Sequence, residues 1–183
     1  PNEDSRKFVE IANAYHDAGV NVPRVLAHNP SKGFYCLQDF GDRQFAQEVN
    51  IDKMHLLYKN AIGYLPAIQA CQTVNGEQLP SFDDDLLGAE LYLFTHWLLE
   101  IHLDVTLTSQ QQEMIKRSYR HICDVFKSQP QAGVHRDYHS RNLMILGDES
   151  IGVIDFQDAV IGPITYDLVS LLRDCYQSWP QEK

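Results

Sequence analysis

Residues 135–156 read HRDYHSRNLMILGDESIGVIDF, and this stretch decides the fold of the 183-residue chain. Asp137 and Asn142 stand five positions apart in a polar segment, whereas Asp155 ends the apolar run IGVID, which is typical of a buried strand. The turn residues GDES separate NLMIL from IGVID and predict a β-hairpin. Pairing of these two strands would bring Asn142 and Asp155 to the same end of the hairpin.

These three side chains suit the chemistry of phosphoryl transfer. Moving a γ-phosphoryl group to a hydroxyl requires a carboxylate that orients the acceptor and takes its proton, and oxygen ligands for Mg²⁺ at the phosphates. Asp137 is the candidate catalytic carboxylate, and Asn142 and Asp155 are the candidate metal ligands. Each residue alone would be explained as an ordinary turn residue, so the hypothesis depends on their combination.

The pattern HRDxxxxN followed by DF resembles the catalytic and magnesium loops of the kinase fold. The chain differs from protein kinases at His139 and Ser140, where those enzymes usually have Lys and Pro, and in DFQD, which replaces DFG. With HxDxHxxN and a later IDF, it is similar to the aminoglycoside phosphotransferase and choline kinase family, whose members phosphorylate small molecules. The resemblance implies that Asp167, in GPITYDLVSLL, begins a helix and braces the catalytic loop. It also implies ATP and Mg²⁺ as cofactors.

The N-terminal part resembles the last helix of the small lobe of that fold. Apolar residues recur at helical spacing from Phe8 to Tyr15 and predict a helix over about residues 5–18. In the family, a glutamate on this helix pairs with the lysine that binds the nucleotide phosphates. The resemblance gives that role to Glu10, with Glu3 as the alternative.

The segment GFYCLQDF reads as a strand that leads into the hinge of the kinase fold. The resemblance implies that backbone groups of Gln38, Asp39 and Phe40 bind the adenine edge. It further implies an α+β, protein-kinase-like fold, with the end of the small lobe over residues 1–40 and a mainly helical large lobe over residues 41–183.

Part of the phosphate-binding apparatus of that fold is missing from the sequence. No GxGxxG or GxxxxGK pattern occurs, and the phosphate-binding lysine would have to precede Pro1. We therefore expect the chain to be part of a longer protein, with further large-lobe helices beyond Lys183. The activity is expected of that whole protein.

Charge and composition disfavour several partners. The formal net charge is −10, and the 15 lysines and arginines form no run of the kind that a nucleic-acid backbone requires. No apolar run approaches the roughly 20 residues needed to span a bilayer, so neither nucleic acid nor a membrane is an expected partner. The four cysteines lack metal-site spacing and are expected to be reduced. Use of ATP then favours a cytoplasmic location.

The segment between the hinge and the catalytic loop is predicted to be helical. IDKMHLLYKNAIGYLPAIQAC has a helical apolar stripe that Pro66 should kink or interrupt. A second helix should follow the acidic residues 83–85. Thr108 and Gln111 form a capping-box pattern before a third helix.

The expected acceptor is a small molecule, most specifically a sugar. An ExxxFxxW pattern and the catalytic region resemble kinases of cell-wall amino sugars, which phosphorylate the anomeric hydroxyl of N-acetylmuramate or N-acetylglucosamine. The candidate substrate residues are Glu90, Trp97, His139 and Asp158. For the first three a structural interpretation is favoured: Trp97 as a core aromatic, Glu90 as a solvated helix residue and His139 as a residue that orients the loop. An aminoglycoside, choline or homoserine is the alternative acceptor.

Two other functional classes fit parts of the pattern. His135, Asp137, His139 and Asp155 have the ligand types of a metal hydrolase, although DYHSRN reads as a turn rather than the strand that would align such ligands. For His135 we expect a structural role within the site, packing and hydrogen-bonding near the magnesium loop rather than acting as the base. A kinase-fold binding protein without activity is the other alternative, because the glycine loop and its lysine are absent.

Overall fold

The computed structural model describes residues 5–179 and has an α+β composition; Glu3 lies outside the described residues. The α-helices are α1 (Ser5–Asp17), α2 (Phe45–Glu48), α3 (Met54–Ala70), α4 (Asp84–Leu93), α5 (Ser109–Ser128) and α6 (Tyr166–Leu172), and a π-helix spans Phe94–His102. The strands are β1 (Val25–Asn29), β2 (Phe34–Leu37), β3 (Thr73–Val74), β4 (Glu77–Gln78), β5 (Gln131–Val134), β6 (Leu143–Ile145), β7 (Ile151–Val153) and β8 (Val160–Pro163). They pair as β1 with β2, β3 with β4, β5 with β8, and β6 with β7.

Helix α1 forms where the apolar spacing predicts it and buries Ile11, Ala12 and Tyr15. It ends at Asp17 and is terminated by Gly19, which has a φ of +85°. The Gly19 N–H donates to the His16 carbonyl at 3.0 Å, and the Val20 N–H donates to the Tyr15 carbonyl at 2.8 Å. This pair of bonds closes the last turn of the helix and requires a left-handed residue, a conformation that glycine adopts without strain.

The predicted hairpin is present as β6 and β7. The strands are antiparallel, with Leu143 opposite Val153 and Ile145 opposite Ile151, and all their residues are buried. The segment that follows the candidate hinge, residues 38–40, runs beside β6, because the Ile145 N–H donates to the Arg43 carbonyl at 2.7 Å. The hairpin therefore has this segment on one side and carries the candidate metal ligands at its open end.

Helix α3 supplies one wall of the core. Its buried face consists of five residues spaced three or four apart: Met54, Leu57, Ala61, Leu65 and Ile68. Pro66 lies within the helix on the exposed side and does not interrupt it, so a predicted interruption is wrong, whereas a kink at this position stays a prediction. The C-terminal end of α3 contacts β5 so closely that a Cβ atom at Gly133 would lie 2.4 Å from the Ile68 carbonyl oxygen.

The described chain divides into two compact units. The first comprises the residues up to Pro80 together with those from Ala132 onward, and the second comprises Ser81–Gln131. The predicted lobe boundary after residue 40 lies inside the first unit and stays a prediction. Across residues 5–179, none of the helices combines the length and apolar character that crossing a membrane requires.

Both predicted helix caps are present in the second unit. The Asp83 side chain accepts the Leu86 N–H at 3.0 Å and starts α4, and Thr108 and Gln111 form the capping box that starts α5. The predicted single helix after Asp83 instead becomes a π-helix over Phe94–His102. At its end, the Leu103 N–H donates to the carbonyl of Leu98, five residues earlier.

Candidate active site

Two residues of the candidate site have a left-handed backbone. Arg136 has a φ of +77° and Asp155 a φ of +63°, a region that residues other than glycine rarely occupy. Such conformations persist only where the surroundings enforce them, and they occur most often at functional sites. Arg136 directly precedes the segment 137–142, which we call the catalytic loop, and Asp155 accepts a hydrogen bond from its last residue, Asn142.

His135 links the catalytic loop to the strand that precedes Asp155. Its side chain is fully buried, Nε2 lies 3.0 Å from the Ile154 carbonyl, and Nδ1 accepts the Asp137 N–H at 3.3 Å. Both bonds form together only when the neutral ring carries its proton on Nε2. Burial lowers the pKa of His135 to about 4, and the hydrogen bond to Ile154 opposes this shift. The structural role that the sequence predicts for this histidine agrees with its position.

Asp167 braces the segment just before the catalytic loop. It lies in the first turn of α6 and is buried, and its carboxylate accepts the N–H groups of His135 at 2.8 Å and Arg136 at 3.1 Å. Burial raises the pKa of Asp167 to about 7, while the two N–H donors lower it. These bonds satisfy the backbone of Arg136 in its left-handed conformation.

Asn142 connects the other two candidate residues of the site, Asp137 and Asp155. Its Nδ2 donates to the Asp137 carbonyl at 3.0 Å and to Asp155 Oδ2 at 3.3 Å. Because both partners are oxygen acceptors, the amide must present its nitrogen to them. Its oxygen Oδ1 therefore remains for a cation. Together with the Asp155 carboxylate, this donor set is the hard-oxygen type that Mg²⁺ prefers.

Gln157 is a contact of the site that the sequence did not predict. Its Nε2 donates to Asp155 Oδ1 at 2.8 Å, so the Asp155 carboxylate accepts one bond on each oxygen. The signal for it was present in DFQD, where Gln157 stands at the glycine position of DFG. Spacing alone does not show that its side chain turns back toward Asp155.

The Asp137 side chain is exposed, as a residue that must reach an acceptor requires. Partial desolvation raises the pKa of its carboxyl; nearby His139 lowers it, and the negative charge of Asp155 raises it further. A raised pKa strengthens a carboxylate as a proton acceptor. The arrangement can therefore orient a hydroxyl and take its proton beside a bound cation.

The candidate hinge lies against the strand that leads to Asp155. The Gln38 N–H donates to the Arg24 carbonyl at 2.8 Å, and the Asp39 side chain accepts the Gly41 N–H at 2.7 Å. A Cβ atom at Gly152 would lie 2.5 Å from Phe40 Cδ2, so the Phe40 ring packs directly on the backbone of β7.

The other predicted residues occupy different places. Glu10 is half-buried on α1, Asp158 is exposed after DFQ, and His139 accepts the Arg141 N–H at Nδ1, which agrees with a role in orienting the loop. Trp97 is 58% exposed on the π-helix, so the core interpretation that the sequence favoured is wrong. Glu90 is half-buried on α4. Because Glu90 and Trp97 belong to the second unit, their role toward a substrate stays a prediction.

The metal-hydrolase interpretation finds no support in the geometry. Within residues 5–179, no three His, Cys, Asp or Glu side chains are placed to hold a metal ion together. The fully buried ring of His135 instead has both nitrogens in hydrogen bonds with the backbone.

The known sequences that this chain resembles are those of phosphotransferases and kinases. A model of the phosphotransferase enzyme family, APH, matches residues 1–183. The chain is 39% identical, over 187 residues, to an N-acetylmuramate/N-acetylglucosamine kinase of Pseudomonas aeruginosa, a match that covers 100% of this chain and 53% of that protein. The kinase of the same name from Pseudomonas putida is 38% identical, with coverage of 100% and 53%. The chain thus spans about half the length of the curated relatives it matches.

Comparison with solved structures confirms the predicted α+β, protein-kinase-like fold. The ADP-bound aminoglycoside phosphotransferase APH(2'')-Ib aligns with a TM-score of 0.65 at 19% identity, covering 100% of this chain and 66% of that one. A choline/ethanolamine kinase family protein from Mesorhizobium loti aligns with a TM-score of 0.58 at 16% identity, with coverage of 91% and 55%. Since the family match extends over the whole chain and the fold agrees with it, the chain belongs to the APH phosphotransferase enzyme family.

Proposed function

We propose that the protein containing this chain transfers the γ-phosphoryl group of ATP to a hydroxyl of an amino sugar, either N-acetylmuramate or N-acetylglucosamine. The acceptor follows from the curated relatives, which carry these sugars in their names and match the whole chain at 38–39% identity. ATP as the donor follows from the family and from the ADP-bound structural neighbour. The cytoplasm stays the expected location.

The observation that carries the proposal is the position of Asn142. Its side-chain nitrogen bonds both the Asp137 carbonyl and the Asp155 carboxylate, which gathers one candidate base and two candidate metal ligands in one place. In the proposed reaction, Asp137 orients the sugar hydroxyl and accepts its proton as the oxygen attacks the γ-phosphorus.

Asn142 Oδ1 and the Asp155 carboxylate are the groups that would hold Mg²⁺. When bound, the cation would neutralise charge on the phosphate oxygens. We propose that the adenine is bound by backbone groups of Gln38, Asp39 and Phe40. Because the Gln38 N–H already donates to the Arg24 carbonyl, this contact would use the carbonyls or the other N–H groups of the segment. Glu10 is proposed to pair with a phosphate-binding lysine outside this chain.

The proposal is tested with the whole protein and Asp137→Asn. The variant should lower kcat for sugar phosphorylation by roughly 10²–10⁴-fold, the usual contribution of a general base, and should leave the Kd for ATP nearly unchanged. Phosphate transfer is measured by ADP release, and ATP binding by calorimetry. Asp148→Asn is the matched control, because Asp148 lies in the turn between β6 and β7, where its carboxylate accepts the Ser150 N–H.

The acceptor is tested by a panel of N-acetylmuramate, N-acetylglucosamine, an aminoglycoside, choline and homoserine. Turnover of a cell-wall sugar above the others supports the proposal. Turnover of another acceptor would leave a kinase but refute the sugar. ATP binding without transfer to any of them would favour the binding-protein alternative, and undiminished transfer by Asp137→Asn would refute the role of Asp137.

A further inference from the structure

Asp174 is a second carboxylate that bonds the backbone near Asp137, within the catalytic loop itself. Asp174 lies two residues beyond the end of α6, and its Oδ2 accepts the Ser140 N–H at 2.8 Å. Its other oxygen accepts the N–H of Tyr176. Asp167, in the first turn of the same helix, holds His135 and Arg136. The two ends of α6 therefore each present a carboxylate to backbone N–H groups on either side of Asp137.

Ser140 contributes to this contact through its backbone. The residue is fully buried, and its hydroxyl has no hydrogen-bond partner among residues 5–179, whereas its N–H bonds Asp174. Protein kinases, which the loop resembles, usually have Pro at this position, and proline has no N–H to donate. The Ser140–Asp174 bond is thus possible only because this chain departs from that pattern.

The residues after Asp174 extend the contact along the loop. The Arg141 guanidinium carbon lies 4.0 Å from the centroid of the Tyr176 ring, and the His139 ring centroid lies 5.3 Å from it. These are cation–π and edge-to-face distances. The Tyr176 ring therefore lies against the residues on both sides of Ser140, and the Tyr176 N–H is bonded to Asp174.

The far side of Ser140 is held as well. Its carbonyl accepts the Ala46 N–H at 3.0 Å, and the Ala46 carbonyl accepts Nε2 of Gln177 at 2.7 Å. Ser140 therefore has its N–H tied to the segment after α6 and its carbonyl tied to the segment after the hinge. Between them, these bonds fix the half of the loop that ends in Asn142.

We propose that Asp174 is a positioning residue of the catalytic loop, which acts through the Ser140 N–H to hold Asn142 and Asp137 in their mutual geometry. The role in turnover rests on the proposed kinase function, whereas the role in ordering the loop does not. Proline at position 140 achieves part of the same restriction by fixing its own φ. The Ser140–Asp174 bond and a proline at position 140 are therefore alternative ways to restrict the loop. The effect of substituting Asp174 should thus depend on which residue occupies position 140.

Turnover by the whole protein tests this dependence. Asp174→Ala should lower kcat by roughly tenfold or more, because a small misplacement of reacting groups has large effects, and should leave the KM for ATP within about twofold since no nucleotide contact is removed. In a Ser140→Pro background, Asp174→Ala should change kcat by less than about twofold, because the bond is already absent. Asp148→Ala, which removes a carboxylate from the hairpin turn, is the matched control. An equal loss in both backgrounds would overturn the proposal.

Hydrogen exchange of the peptide spanning residues 135–142 tests the same bond without any substrate. Asp174→Ala should accelerate exchange of the Ser140 N–H by roughly tenfold or more relative to the wild type, while Ser140→Ala, which keeps the N–H, should leave exchange of the loop unchanged. If Asp174→Ala does not fold, Asp174→Asn can accept one of the two N–H groups and should give an intermediate rate. Unchanged exchange in a folded variant would refute the positioning role even if no acceptor is phosphorylated.

Discussion

At the scale of single residues, His135 shows how burial selects one protonation state. Its neutral ring connects the carbonyl before Asp155 to the N–H of Asp137, so one side chain links the segment that carries Asp155 to the catalytic loop. A proton on Nδ1 would replace the acceptor of the Asp137 N–H with a second donor. The low pKa of His135, about 4, has burial as its main cause and keeps this proton away at neutral pH.

The lowered pKa of His135 makes the stability of the fold decrease as the pH falls. The pKa of His135 is about 4 in the folded state and about 6.5 in the unfolded state, so the unfolded chain binds more protons between these values. The contribution of His135 to the free energy of unfolding is complete above about pH 6.5 and decreases as the pH falls toward 4, by about 3 kcal/mol in total. NMR titration of the His135 ring should show it neutral down to near pH 4.

His135→Gln is the comparison for that measurement. The difference in free energy of unfolding between the wild type and this variant should shrink as the pH falls from 6.5 to 4. Asp167 also makes the free energy of unfolding depend on pH: because its pKa is about 7 in the folded state, its contribution decreases as the pH rises from 3.8 to 7. Asp167 is present in both proteins, so this contribution cancels in the difference between them. A constant difference across this range would contradict the assignment.

Residue spacing predicted the chemical types at the site but not all of their contacts. Asp137, Asn142 and Asp155 were found because a turn and a strand place polar residues at fixed intervals. Gln157 and Asp174 were not, because their contacts depend on side-chain direction and on the path of the chain after α6. No local pattern encodes either property.

At the scale of elements, the β6–β7 hairpin could be predicted in full. Two apolar runs around GDES fix both the strands and their pairing, and the Ile154 N–H donates to the Asn142 carbonyl at 3.0 Å, which continues the pairing to the site. The π-helix could not be predicted, because a helical apolar stripe is compatible with either an α- or a π-type hydrogen-bond pattern.

The contact between the hinge and β7 leads to an element-scale prediction. Gly152→Val would place Cβ 2.5 Å from Phe40 Cδ2 and displace the ring. We expect the free energy of unfolding to fall by about 1–3 kcal/mol, as for an overpacked core. The KM for ATP should rise by roughly tenfold, which corresponds to about 1.4 kcal/mol of lost binding. Chemical denaturation and initial-rate kinetics measure these two quantities.

Phe40, whose ring packs against Gly152, provides the control. Phe40→Ala removes the ring that the introduced valine would displace, so Gly152→Val should be much less harmful to stability in the Phe40→Ala background. Gly147→Ala, in the β6–β7 turn with open space around its Cβ, should change stability little. Additive effects of the two substitutions at positions 40 and 152 would show that the ring contact is not the cause.

At the scale of the whole molecule, the first unit is built from two segments separated by the second unit. Tyr138, on the catalytic loop, is fully buried and donates its hydroxyl to the Ala61 carbonyl of α3 at 2.8 Å, across 77 residues of sequence. Hydrophobic spacing predicted that α3 has a buried face, but it could not identify which distant residue reaches it. Long-range pairings of this kind are decided by the total packing of the core.

Tyr138 and Tyr15 form a matched pair that tests this packing. Both rings are fully buried, but the Tyr15 hydroxyl has no hydrogen-bond partner among residues 5–179, whereas the Tyr138 hydroxyl bonds Ala61. Tyr138→Phe should lower the free energy of unfolding by about 0.5–1.5 kcal/mol, because it removes a buried hydrogen bond to the Ala61 carbonyl. Tyr15→Phe removes a buried hydroxyl that gains nothing from the fold, so it should be neutral or stabilising by up to about 1 kcal/mol. Urea denaturation of the two variants at one pH measures both effects. Because both variants keep the aromatic ring, equal changes in the free energy of unfolding would show that the hydrogen bond of the Tyr138 hydroxyl does not contribute to stability.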